Sequence, residues 1–135
     1  MSGLQQKHKV LVIDDEVNVS DTLGLIFTKE GYEARVAYSA EEAIEVISQW
    51  RPDLAIVDVV LPGMSGIDFA LVLKANYPDC RLLLFSGEQG TADLLTQAAI
   101  DGNIFEILAK PVPPAYMLET AAGLLGDKPK GIIEN

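Results

Sequence analysis

Residues 54–66 read LAIVDVVLPGMSG. Leu54 to Val57 form an unbroken apolar run that ends on a carboxylate, Asp58, with Pro62 and Gly66 in the loop beyond. A strand with one wet face alternates polar and apolar residues. A continuous run belongs instead to a strand covered on both faces, as in a parallel sheet flanked by helices. Working outward, KVLVID (9–14), RLLLFS (81–86) and IFEILA (104–109) have the same character, whereas EARVAY (33–38) alternates and reads as an edge strand.

The intervening segments carry helical spacing. Leu23, Ile26 and Phe27 form one apolar stripe, and Ala43, Ile44, Ile47 and Trp50 a second. Ile67, Ala70 and Leu71 make a third, Leu94, Leu95 and Ala98 a fourth, and Met117, Leu118, Ala121, Leu124 and Leu125 a fifth. Ser39-x-x-Glu42 has the form of a capping box, Pro113 and Pro114 suit a helix start, and Gly31 and Gly102 suit helix C-caps. Five strand–helix units with short loops predict an α/β domain with a doubly wound, five-stranded parallel sheet and helices on both faces.

Composition bounds the function. The 135 residues suit one domain, expected over residues 9–126 between tails at 1–8 and 127–135. Twenty acidic against ten basic residues give a formal charge of −10, which argues against direct binding to nucleic acid or to an anionic membrane. One cysteine, Cys80, excludes an internal disulfide, and one histidine, His8 near a polar N-terminus, argues against imidazole chemistry. There is no long apolar span and no apolar signal core, so the expected compartment is the cytoplasm.

The chemistry lies at the strand ends. Asp14 and Asp15 follow the first strand, Asp58 ends the third, Ser86 the fourth, and Lys110 follows the fifth. With strand order 2-1-3-4-5 these residues share one rim, where the ligand crevice of an open parallel sheet lies. Three carboxylates about 5 Å apart repel by roughly 3 kcal/mol per pair at an effective dielectric near 20. Lys110 offsets one charge, so a divalent cation is implied. The all-oxygen donor set favours Mg²⁺, or Mn²⁺, over zinc.

These residues resemble the receiver domain of two-component response regulators, the chemotaxis-regulator type included. The resemblance runs from about Lys9 to Leu125 and rests on Asp14-Asp15 after VLVI, Asp58 in LAIVDVVLPGMSG, Ser86 in LLLFSG and Lys110-Pro111 in ILAKP. It implies a flavodoxin-like fold and a signalling switch, not an enzyme with a turnover substrate. Asp58 would accept a phosphoryl group from a sensor histidine kinase or phosphotransfer protein. Asp15 and Asp58 would bind the metal directly with the Val60 carbonyl, and Asp14 through water. Ser86 and Lys110 would hold the phosphoryl group, the lysine aimed by a cis peptide to Pro111. Val60 and Glu88 would tune the lifetime of the phosphate.

One departure bears on the output. Receivers commonly carry an aromatic three residues before the active-site lysine, and here that position is Ile107. Phe105, two residues away on the same strand face, either replaces it in a switch with Ser86 or is simply a core residue. The resemblance places effector or output-domain binding, and a dimer contact, on the face of the fourth predicted helix, fifth strand and fifth predicted helix. A phosphatase of the haloacid-dehalogenase type would instead carry D-x-D with the nucleophile after its first strand. A receiver-like module that never takes phosphate is the other alternative.

Overall fold

A computed structural model describes residues 7–87 and 106–127. Its strands are β1 (Lys9–Ile13), β2 (Glu33–Ala37), β3 (Leu54–Asp58), β4 (Arg81–Ser86) and β5 (Glu106–Ala109). The helices are α1 (Val17–Glu30), α2 (Ala40–Gln49), α3 (Gly66–Asn76) and α4 (Pro114–Leu125), the last being the fifth stripe of the sequence. The fourth stripe, Gly102, and the switch and lifetime candidates Phe105 and Glu88 lie outside the described residues.

The sheet order is β2-β1-β3-β4-β5 and every pairing is parallel. β2, the one alternating run, sits at an edge as its pattern requires, and all five residues of β3 are buried at the centre. Alternation of side chains along each strand divides the core into two layers. Leu11, Ile13, Ala55, Val57 and Leu84 pack with Ala43, Ile47, Phe69 and Leu73 on the α2–α3 side. Val10, Val12, Ile56, Leu83 and Phe85 pack with Leu23, Phe27, Met117 and Ala121 on the α1–α4 side. Helices therefore cover both faces. None of the described helices is long and apolar enough to cross a membrane.

Local signals set the helix ends. The Ser39 hydroxyl accepts from the Glu42 N–H at 3.0 Å, while the Glu42 carboxylate reaches the N–H of Tyr38, one residue earlier than a standard capping box. Pro113 and Pro114 open α4, and Gly31 ends α1 at φ 107°, a conformation open to glycine at little cost. The expected stripe on α2 needs one correction. Ile44 is 39% exposed, because Ala40, Ala43 and Ile47 form the buried face of the helix and the side chain at 44 lies at its margin.

Candidate functional site

Register brings the chemistry to one rim. Ile13 pairs with Val57, Asp58 with Phe85, and Ser86 with Ala109, so Asp14, Asp58, Ser86 and Lys110 emerge at nearly the same height. Asp14 is fully buried just past β1, its N–H bonded to the Ala37 carbonyl of β2. Asp58 is buried at the end of β3. Lys110 follows β5 and is fixed by its N–H to the Ser86 carbonyl at 3.1 Å. Its peptide bond to Pro111 is cis, as the resemblance implies.

The two buried carboxylates are held alike. The Asp58 Oδ1 accepts the Val60 N–H at 3.1 Å, and the Asp14 Oδ1 accepts the Glu16 N–H at 2.9 Å. The second oxygen of each faces the Lys110 Nζ, at 3.0 Å from Asp14 and 3.1 Å from Asp58. The ammonium also lies 4.7 Å from the centre of the Phe85 ring, whose negative face favours a cation. Burial raises the Asp58 pKa to about 6, against the opposing pull of the Val60 N–H and Lys110. Burial works against the Lys110 ammonium too, but the Asp14 and Asp58 carboxylates outweigh it and its pKa lies above the ordinary value.

Gly66 fixes the backbone around Asp58. Its N–H donates to the Val59 carbonyl at 2.9 Å, and a Cβ placed there would stand 2.0 Å from the Asp58 carbonyl oxygen. No side chain fits that approach. The loop after β3 is further tied down by Glu41, which accepts the Met64 N–H at 3.1 Å.

Asp14 and Asp58, two of the residues expected to hold a cation, come together, and Glu16 lies with them. Ligand oxygens of Asp14, Glu16 and Asp58 lie within 4.8 Å of one another. Asp15 is exposed and stands at the edge of an open cavity of about 350 Å³, lined also by Glu16, Asp58, Val60, Gly87 and Lys110. Ser86 is nearly buried at the end of β4, and Ile107 is 39% exposed on β5. Glu16 is the residue that sequence reasoning missed. It occupies the N-cap position of α1 without making a cap bond, and its carboxylate lies 3.5 Å from the Lys110 Nζ. The signal was present as a third consecutive acid after β1, easily read as a helix-start charge.

Three carboxylates against one ammonium leave two negative charges unmatched in this group. Oxygen donors that are already clustered and under-neutralised, without sulfur or imidazole, fit a hard divalent cation such as Mg²⁺.

The sequence description of the response regulator receiver domain matches residues 10–122, from β1 into α4. The chain belongs to this receiver-domain family. It is thus a receiver domain of two-component signal transduction. Among curated relatives it is 27% identical over 112 residues to the DNA-binding response regulator MtrA of Mycolicibacterium paratuberculosis, covering 83% of this chain and 48% of MtrA. It is 29% identical over 103 residues to sporulation initiation phosphotransferase F of Bacillus subtilis, covering 76% of this chain and 82% of that protein. The chain spans about half the length of the DNA-binding regulators that it matches. Among solved structures, a CheY-like receiver domain protein from Methanospirillum hungatei superposes with a TM-score of 0.81 at 24% identity, over 90% of this chain and 95% of that one. The receiver domain of NtrX from Brucella abortus gives 0.76 at 27% identity, over 88% and 99%. The five-stranded, flavodoxin-like order read from the sequence is the order of the receiver fold.

Proposed function

We propose that Asp58 is the phosphoacceptor of this receiver and that its phosphorylation shifts the domain between two signalling states. The observation that carries the reading is one ammonium, Lys110, shared between two buried carboxylates at 3.0 and 3.1 Å. In the transfer, a carboxylate oxygen of Asp58 bonds to phosphorus, the phosphorus–nitrogen bond to the donor phosphohistidine breaks, and the imidazole leaves. Such transfer demands in-line positioning and neutralised oxygens more than covalent help from the protein.

Asp15 and Asp58, with the Val60 carbonyl, would hold Mg²⁺ directly and Asp14 would hold it through water; Asp15 and Asp58 both line the open cavity. The metal would supply positive charge to the phosphoryl oxygens. Lys110 is within reach to pair with one of those oxygens on leaving Asp58, and Ser86 is the hydroxyl at the neighbouring strand end. Val60, 43% exposed beside the acceptor, would limit water access and so tune the lifetime of the acyl phosphate. The chain would then catalyse only its own phosphorylation and dephosphorylation.

The donor is a sensor histidine kinase or phosphotransfer protein, and the reader is a cytoplasmic effector or an output domain. A shift from 1:99 to 99:1 needs about 5.5 kcal/mol of differential interaction, to be supplied by a dianion held by a divalent cation, Ser86 and Lys110. With Ile107 at the position usual for an aromatic, Ser86 movement is relayed by aliphatic packing or by Phe105. The test is intact mass after incubation with Mg²⁺ and acetyl phosphate. Wild type should gain one base-labile phosphoryl group and Asp58→Asn none. An unmodified wild type, or equal gain by both, would overturn the assignment.

A further inference from the structure

The two buried carboxylates have little freedom. Each has one oxygen on a backbone N–H and the other on Lys110. A divalent cation entering at Asp58 would therefore compete with the ammonium for oxygens already in use. The Lys110 backbone is bonded to Ser86, so its ammonium can swing but stays within a side chain's reach of the cavity. An ammonium displaced with no new partner would remain beside the incoming cation, where like charges a few ångströms apart repel strongly.

Glu16 is placed to solve this problem. Its carboxylate is the third anion on the same Nζ, at 3.5 Å against 3.0 and 3.1 Å for the buried pair. Unlike them, its side chain is 65% exposed and makes no helix-cap bond, so it is free to follow the ammonium outward. We propose that Glu16 is a positioning residue that receives the Lys110 ammonium when a divalent cation enters, and thereby sets cation affinity. The inference rests on the Asp58 cation site proposed above. Glu16 acts through Lys110, not as a ligand.

A double-mutant cycle measured by Mn²⁺ binding separates the possibilities. Free Mn²⁺ is followed by electron paramagnetic resonance at fixed ionic strength, with no phosphodonor present. Glu16→Gln should weaken Mn²⁺ binding about fivefold in the wild-type background and at most about twofold in Lys110→Met, where no ammonium needs a seat. Lys110→Met by itself should bind Mn²⁺ more tightly. Should it fail to fold, Lys110→Gln serves the same purpose. An unchanged affinity in Glu16→Gln, or the same loss in both backgrounds, overturns the inference. The cation site itself is tested separately by Asp58→Asn. If that variant binds Mn²⁺ as wild type does, the site reading fails whatever Glu16 does.

Discussion

Asp58→Asn is expected to stabilise the domain while removing the proposed acceptor, and the size of the gain follows from the site. Burial lifts the Asp58 pKa from 3.8 to about 6, so the ionised carboxylate is held at a cost in the folded state. At about 1.4 kcal/mol per tenfold change in proton affinity, the ceiling is about 3 kcal/mol at pH 7.5. Asparagine keeps an acceptor oxygen for Lys110 but loses the charge pair, so the net gain should be about 1–2 kcal/mol. In a domain of this size that corresponds to a rise in Tm of about 5 °C. The sign with pH follows from linkage. Between about 4 and 6 the folded protein binds more protons at this site than the unfolded chain, so stability falls as pH rises through that window and the cost is complete above it. Because asparagine does not titrate, its advantage should fall by about 2 kcal/mol on moving from pH 7.5 to pH 4, enough to abolish or reverse it. Urea unfolding of both proteins at the two pH values, without divalent cations, makes the measurement. An asparagine variant that is less stable at pH 7.5, or an equal advantage at both pH values, would refute the reasoning.

Three further changes have defined outcomes. Lys110→Met leaves Asp14 and Asp58 buried without their cation and should cost about 2–4 kcal/mol in thermal melts with chelator, with millimolar Mg²⁺ restoring more of the loss than it adds to wild type. Gly66→Ala sets a methyl group 2.0 Å from the Asp58 carbonyl and should destabilise by at least about 2 kcal/mol in chemical denaturation, with reduced Mn²⁺ affinity because the acceptor loop must shift. Ser39→Ala removes the hydroxyl that caps α2 and should cost about 1 kcal/mol by the same assay, leaving Mn²⁺ binding unchanged.

Much of the fold was legible because burial on both faces leaves an unmistakable trace. LAIVD, KVLVI and RLLLFS read as covered strands, and EARVAY declared its edge position by alternating. IFEILA shared the apolar character, and yet β5 lies at the other edge with three of its four residues exposed. The site was legible for a related reason. Asp14, Asp58 and Lys110 follow apolar runs directly, so the sheet register dictates that they meet. What escaped depends on side-chain direction. Asp15 and Glu16 are neighbours past the end of β1, and nothing in periodicity distinguishes the one that turns to the cavity mouth from the one that reaches Lys110. Phe85 read only as core, yet its ring face also lies under the ammonium, a contact that depends on three-dimensional approach. Ile44 matched a helical stripe and still lies at the margin, since ten residues of α2 carry only a narrow buried face.

The central claim is that the phosphoryl group is received at residue 58 and nowhere else. The most direct measurement is borohydride reduction of the protein after acetyl phosphate and Mg²⁺, followed by peptide mass spectrometry. An acyl phosphate on Asp58 should be converted to homoserine in the peptide spanning LAIVDVVLPGMSG. Homoserine at Asp14 or Asp15, or an unreduced peptide from a protein that had gained phosphate, would contradict the account.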